Sequence, residues 1–391
     1  MPWRKPIATS RGARAESALV GRVRAYRSRT DWSAFDDALR QVAVATPMQS
    51  RVWLESCWSA YQQPASQLLL AVVHDVDDSG LVLGAAAFTL HNSGGLRRIR
   101  LLGDGPACSD HATVRCRPGR EGAAAAALAD WLVHDVGDLW DEVRLEAVDA
   151  DEIPLRAVVR RLGEHGGLVA CREEPGTWGV DLPPTWEAYL EGLSKNHRKR
   201  CLRWQREFFE SGVASVQVIR EAGPCLEALG TLCDLHAERR NRLGDGGAFA
   251  SAEFRRFHQR AVDALAEQGQ VQMRLLSLGG REVAAEYVLD DGRTLYAYQS
   301  GLAAEGEAVS AGSLSLLALV HDAIQAGRRR VDLLRGGEFY KRHWGATRLP
   351  AATFVVRQPT LAGRFAVGWE TLCESLRSRR SSTDSPPIGA D

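Results

Sequence analysis

The chain has 391 residues, 45% hydrophobic and 25% charged, a globular balance in a chain too long for one ordinary core, so two domains are expected. Lys plus Arg and Asp plus Glu number 49 each, which argues against a general nucleic-acid-binding surface. No apolar run approaches a membrane span, so no stable membrane insertion is expected.

The first residues, "MPWRKPIATSRGARAESALVGRVRAYRSR", are basic but lack the apolar middle of a signal peptide, and read as a disordered arm over 1–30. Three runs then alternate like a β-meander: "LLLAVVHDV", "GLVLGAAAFTLH" and "GLRRIRLLG", broken by Asp-Asp-Ser-Gly and Asn-Ser-Gly-Gly. "HATVRC", the loop "RPGREG", a helix "AAAAALADWLVHDV" and a strand "DEVRLEAV" follow, then a helix "LRAVVRRLGEHG" and a strand "GLVACRE". Pro183-Pro184 marks a seam.

Beyond the seam, "TWEAYLEGLSKNHRKRCLRWQREFFESG" (185–212) reads as helix, with Cys201, Trp204 and Phe208 on one apolar stripe. A strand "VASVQVIR" and helices near 224–240 and 251–268 come next. Three strands, "QVQMRLLSL", "REVAAEYVLD" and "RTLYAYQSG", are separated by Gly279-Gly280 and Asp291-Gly292, dipeptides suited to tight hairpins. "SAGSLSLLALVHDAIQAG" is a helix with Ser310 and Ser313 near its start, followed by the strand "RRVDLL", a short helix, and the strand "AATFVVR". The helix between two strands implies a parallel crossover joined to an antiparallel sheet. The first half repeats this order weakly, so two copies of one α/β unit are expected, over 31–184 and 185–370, with a polar tail at 371–391.

Several segments carry a likeness to a known family. "LSKNHRKRCLRWQREFFESG", "LCDLHAERRNRLGDGGAF", "YAYQSGL", "VSAGSLSLLAL" and "VDLLRGGEFYKRHWGA" resemble, in order, motifs of the FemAB-like, tandem branch of the GNAT acyltransferases. More narrowly they resemble the cellulose-biosynthesis-associated (BioF2-like) acetyltransferases. The likeness implies tandem GNAT-like domains, a mixed α/β sheet, and N-acyl transfer from acyl-CoA, with acetyl-CoA as co-substrate. It also implies an amine acceptor such as an amino sugar or lipid-linked sugar of exopolysaccharide metabolism. Ala311 and Gly337 depart from the family pattern, where proline and an acidic residue are usual.

Acyl transfer from a thioester requires an anchored donor, a deprotonated amine and a stabilised leaving thiolate. The start of "SAGSLS" offers helix N–H groups for the donor's phosphates, with Ser310, Gly312, Ser313 and Ser315 as the candidate cofactor-binding set. "RPGREG" is its counterpart in the first half, with Arg117 and Arg120 as phosphate partners. The ordinary alternative is a capped helix. Tyr340 is the candidate acid for the departing sulfur, and Lys341 a point charge for phosphate, carboxylate or oxyanion; the alternative is a packed tyrosine and a solvated lysine. His236 and Glu286 are rival bases: the first lies on a helix face with Arg239, and the second alternates with Tyr287 on a strand whose sides the sequence does not distinguish. Asp332, inside an apolar strand, needs a partner, with Arg335 or Lys341 as candidates. Arg239, Asp332, Arg335 and Trp344 complete the expected substrate side.

The eight cysteines (Cys57, Cys108, Cys116, Cys171, Cys201, Cys225, Cys233 and Cys373) form no Cys-x-x-Cys pair, and Cys233 with His236 lacks a second ligand pair. No metal is expected, and reduced thiols point to the cytoplasm. Two rival functions stay open. The basic helix 194–206 suits an aminoacyl-tRNA donor of the FemAB type, and a degenerate pair of domains would serve as a binding scaffold. A serine hydrolase fails because Gly312-Ser313-Leu314-Ser315-Leu316 lacks the second glycine of a nucleophile elbow.

Overall fold

A computed structural model describes residues 21–27, 31–42, 46–244, 246–336 and 339–359. Its first half comprises strand β1 (Gly21–Tyr26), helices α1 (Trp32–Leu39) and α2 (Arg51–Tyr61), and the meander β2 (Gln67–Asp75), β3 (Val82–Ser93) and β4 (Leu96–Leu101). A two-residue β5 (Arg115–Cys116), helix α3 (Glu121–His134), strand β6 (Glu142–Asp149), helix α4 (Ile153–Glu164) and strand β7 (Leu168–Asp181) follow. The second half contains α5 (Trp186–Gly192), α6 (Lys195–Trp204), β8 (Ala214–Ile219), α7 (Ala222–Leu243) and α8 (Ala252–Glu267). It continues with the meander β9 (Val271–Leu278), β10 (Arg281–Asp290) and β11 (Thr294–Leu302), then α9 (Ala304–Ala308), α10 (Ala311–Gln325), β12 (Arg330–Arg335), a 3₁₀ turn at Phe339–Trp344, and β13 (Thr347–Arg357).

The two halves repeat one plan. In each, a first strand and two helices precede a three-stranded antiparallel meander. A helix then carries the chain across to a strand parallel to the meander's last: β4 pairs β6, and β11 pairs β12. The glycine turns form as read, with Gly279 and Gly280 at φ +55° and +82°, the mirror-image conformation that matches strand twist.

The sheet does not stop at the seam. Its order is β1-β2-β3-β4-β6-β13-β7-β12-β11-β10-β9-β8, with β5 on β3. Each half's final strand lies next to the other half's crossover strand: β7 pairs β12, and β13 pairs β6. The two final strands also pair with each other through a long antiparallel ladder.

Three cores result. One lies between α3, α4 and the first half of the sheet; another lies between α5, α6, α10 and the second half. The third joins α1 and α2 to α7 and α8 across the halves. Trp53 meets Phe257 there with ring centroids 4.8 Å apart, a contact of the kind that ties two apolar faces together.

Some expectations need correction. Residues 21–26, assigned to a disordered arm, form β1 on the edge of β2; residues 1–20, 28–30 and the tail over 371–391 lie outside the described residues. The single helix over 185–212 is broken at Leu193–Ser194, where the chain turns extended and Ser194 caps a new helix by accepting from the His197 amide at 3.4 Å. After Trp204 it continues as a π-helical stretch, Gln205–Glu210.

Candidate active site

The ladder between β11 and β12 runs only from Thr294–Arg330 to Tyr296–Asp332. Beyond it, Ala297–Leu302 of β11 and Leu333 and Arg335 of β12 line opposite sides of a cleft of about 520 Å³. The cleft is closed by the start of α10 and by the 3₁₀ turn carrying Tyr340, Lys341 and Trp344.

Ten of the twelve expected site residues line this cleft: Arg239, Glu286, Ser310, Gly312, Ser313, Ser315, Arg335, Tyr340, Lys341 and Trp344. His236 and Asp332 do not. His236 is buried, with its ring 5.2 Å from that of Phe249 and against Gly247, where a Cβ would lie 2.4 Å from the imidazole Cε1. Its helix approaches β11 so closely that a Cβ on Gly301 would lie 2.8 Å from the His236 nitrogen.

The α10 end of the cleft is strained. Ser310 takes a left-handed conformation (φ 60°) and supplies no side-chain cap, a costly backbone state that recurs at ligand sites. Its carbonyl accepts from the amides of Ser313 and Leu314 at 2.8 and 3.1 Å. Among the described residues no side chain caps the first-turn amides of Ala311 and Gly312, which lie in a wall of the cleft.

Glu286 lies in the floor, on the α10 side of the sheet, while Tyr287 packs into the opposite core. Burial pushes its carboxyl above the ordinary value, against the pull of Arg274 and a hydrogen bond from Ser315. Its Oε2 is buried without a hydrogen-bond partner. A carboxylate with raised basicity and a spare lone pair can accept a proton from a bound amine.

The opposite wall depends on β12. Leu334 has φ 53° within that strand, and four groups hold the distortion. Asp332 Oδ1 accepts from the Leu334 amide at 2.9 Å, and Asp110 accepts from both the Arg335 amide (2.9 Å) and the Arg335 Nε. The Trp178 indole donates to the Gly336 carbonyl at 2.8 Å. Lys341, 3% exposed, donates its Nζ to the carbonyls of Leu333, Leu334 and Arg335 at 3.1, 3.4 and 3.3 Å. The ammonium expected to be a point charge for substrate is thus aimed at the strand's backbone. Tyr340, in contrast, is 50% exposed. Trp344 is buried, with its carbonyl accepting from the Tyr189 hydroxyl at 3.0 Å.

Asp332 has a different partner from those expected. His111 Nε2 lies 3.3 Å from its Oδ2, with Arg330 at 3.6 Å, while His111 Nδ1 lies 2.8 Å from Asp149. Burial opposes charge on the ring, but the two carboxylates outweigh it and raise the imidazole to about 10. The resulting imidazolium joins β6 to β12 at the root of the cleft. Sequence reasoning missed His111, Asp110 and Arg274; only Arg274 left a signal, as the one charge inside the strand Val271–Leu278.

In the first half a smaller cavity of about 330 Å³ lies at the start of α3, lined by Arg115, Cys116, Glu121 and Glu152 among others. Where β4 and β6 stop pairing, Arg100 bonds Asp104 at 3.1 Å and crosses to Glu146. In "RPGREG", Arg117 Nε is used by the Val82 carbonyl at 2.9 Å, and Glu121 accepts from the Gly119 amide at 3.1 Å. Among the described residues no cluster of His, Cys, Asp or Glu could hold a metal ion, and no helix is long and apolar enough to cross a membrane.

Comparison with known proteins shows what the fold resembles. Residues 195–342 match the family model of the acetyltransferase (GNAT) domain. The chain is a transferase with the GNAT fold. Among solved structures it is similar to FemX, at TM-score 0.56 and 11% identity over 84% of this chain and 96% of that one. It is similar also to the C-terminal domain of a putative lysylphosphatidylglycerol synthetase from Agrobacterium fabrum (TM-score 0.52, 9% identity, 88% and 96% covered). A conserved protein of unknown function from Bacteroides thetaiotaomicron gives TM-score 0.52 at 11% identity, with 85% and 98% covered. At these identities the likeness is one of fold. No curated protein matches the chain. The matched GNAT segment contains every residue that lines the cleft except Trp344.

Proposed function

We propose that the chain moves an acyl group, acetyl in the simplest case, from acyl-CoA to an amine bound over Glu286. The observation that carries this reading is the cleft itself. One strand edge, an uncapped helix start, an exposed phenol and a buried carboxylate with a free lone pair converge on one space within the GNAT segment. The amides of Ala311 and Gly312, with Ser310 and Ser313, seat the donor's phosphates, while Ser315 keeps its hydrogen bond to Glu286. Glu286 removes the proton as the amine nitrogen bonds the thioester carbonyl carbon. The carbon–sulfur bond then breaks, and Tyr340 donates its proton to the thiolate. Lys341 acts on the chemistry through β12, by holding the strand end that forms the wall. Arg239, Arg335 and Trp344 border the acceptor.

On this reading 185–370 is the catalytic unit and 31–184 its partner, contributing Asp110 and His111 to the root of the cleft. The resemblance to the cellulose-biosynthesis-associated acetyltransferases supports an amino sugar or lipid-linked sugar of exopolysaccharide metabolism as acceptor, and the free thiols of the described cysteines support a cytoplasmic setting.

A second reading, an aminoacyl-tRNA donor, is favoured by α6. It buries His197, Cys201 and Trp204 and exposes Lys195, Lys199, Arg200 and Arg203 on its outer side. Calorimetry with acetyl-CoA decides between them. Binding of one acetyl-CoA per chain, retained by Glu286→Gln while acetylation of an amine panel is lost, supports acyl-CoA. No heat with any acyl-CoA, beside salt-dependent binding of tRNA, moves the donor to the second class.

A further inference from the structure

Glu286 does not stand alone in the floor of the cleft. Its register partner on β9 is Arg274, 1% exposed, whose Nε lies 3.7 Å from Glu286 Oε2. Neither of these two buried atoms has a hydrogen-bond partner. The same guanidinium reaches the other way, placing Nη2 2.7 Å from Asp322 Oδ2 on α10. Asp322 is 44% exposed at its side chain and lies 3.4 Å from the imidazole of His321, whose ring packs edge-on to Trp186.

A buried arginine between two carboxylates divides its charge according to distance. Here the hydrogen bond goes to the outer carboxylate, and the inner one is left just beyond hydrogen-bonding reach. That division suits a base. Glu286 fully bonded to Arg274 would be locked as a weak, permanently ionised acceptor. Without Arg274, its burial would keep it protonated and unable to take a proton from the amine.

We propose that Arg274 is a positioning residue for proton removal, shared between Glu286 inside the cleft and Asp322 outside it, so that Asp322 sets how much of the guanidinium's charge the base receives. This rests on the reading of Glu286 as the base. The other groups facing Glu286 do not replace Arg274. Ser315 of α10 is a neutral hydrogen-bond donor to it, and Ser300 is its neutral register partner on β11. The remaining titratable side chains of the cleft are Arg239, Tyr298, Glu307, Arg335, Tyr340 and Lys341. None of these six is without a partner. Arg239 pairs with Glu307 at 3.5 Å, Arg335 with Asp110, Lys341 with three carbonyls, and the Tyr298 hydroxyl donates to the Ala107 carbonyl at 2.8 Å.

The arrangement predicts shifts of opposite sign. Asp322→Asn releases Arg274 toward Glu286 and lowers the pH at which Glu286 protonates by about one unit or more, a tenfold change in the ratio of ionised to protonated carboxyl at fixed pH. Arg274→Met raises it by at least as much. Both midpoints are read from side-chain carboxyl ¹³C shifts of the full chain labelled at glutamate, with Glu286→Gln identifying the resonance. Shifts in the same direction, or none, overturn the proposal. Should Arg274→Met fail to fold, the exposed-side change decides alone: an Asp322→Asn midpoint that is unmoved or higher refutes it. The titration needs no substrate, so its failure is distinct from failure of the acyl-transfer reading, which shows as absent acetyl-CoA binding.

Discussion

Replacing His111 by asparagine tests how the two halves are held at the root of the cleft. The native imidazolium lies between the partly exposed Asp149 on β6 and the buried Asp332 on β12, and it supplies the charge that the buried carboxylate requires. A ring whose ordinary value of 6.5 rises to about 10 on folding contributes up to about 5 kcal/mol of stability. The sign follows from the direction of the shift. The contribution is complete below 6.5, where the unfolded ring is also protonated, and is lost progressively as pH rises through about 10. Asparagine leaves Asp332, 3% exposed, with the Leu334 amide and Arg330 alone. Breaking such a pair costs about 3–5 kcal/mol. Spread over the roughly 330 described residues, that cost lowers Tm by about 4–7 °C. Melts followed by circular dichroism at pH 6, 8 and 10 should show the gap between wild type and His111→Asn widest at pH 6 and narrowing toward pH 10. A gap that is constant, or that grows with pH, would refute the imidazolium clamp.

Two further substitutions separate structure from chemistry. Lys341→Met removes three charge-assisted donors from the end of β12 and should cost about 3 kcal/mol in urea unfolding and weaken acetyl-CoA binding; Tyr340→Phe, at a half-exposed site, should leave the unfolding midpoint in place and lower kcat about 100-fold. A stable Lys341→Met variant with only kcat reduced would return Lys341 to a direct role on substrate. Gly301→Ala places a Cβ 2.8 Å from the His236 nitrogen and 2.9 Å from the Leu232 carbonyl, so α7 must move away from β11 at a cost of about 2 kcal/mol. A urea midpoint equal to wild type would mean that the close approach is not native.

Most of the local structure was legible in the chain. Both meanders, the glycine turns and the crossover helix follow from hydrophobic period and from residues that tolerate positive φ, which are properties of neighbours in sequence. The segment around 331–346 was legible as a site because a strand end, two glycines and a cluster of polar and aromatic residues stand together there. The break at Ser194 was harder, since a helix period continues across it and only the cap distinguishes two helices from one.

Tertiary structure alone decided what the site residues do. Lys341 reads as a free cation in sequence, yet three carbonyls of β12 take up its charge. Asp332 called for a partner, and the partner was a histidine on the other half of the chain. Asp110 meets Arg335 across a separation of 225 residues, and Arg274 finds Asp322 across 48. Such pairs leave no local pattern, because what selects them is the cost of burying a charge without a counter-charge, and that cost exists only once the strands are in place. The exchange of final strands between the halves has the same origin. Neither final strand carries a local pattern that names its neighbour, and only the closed sheet, with β13 against β6 and β7 against β12, determines where each one pairs.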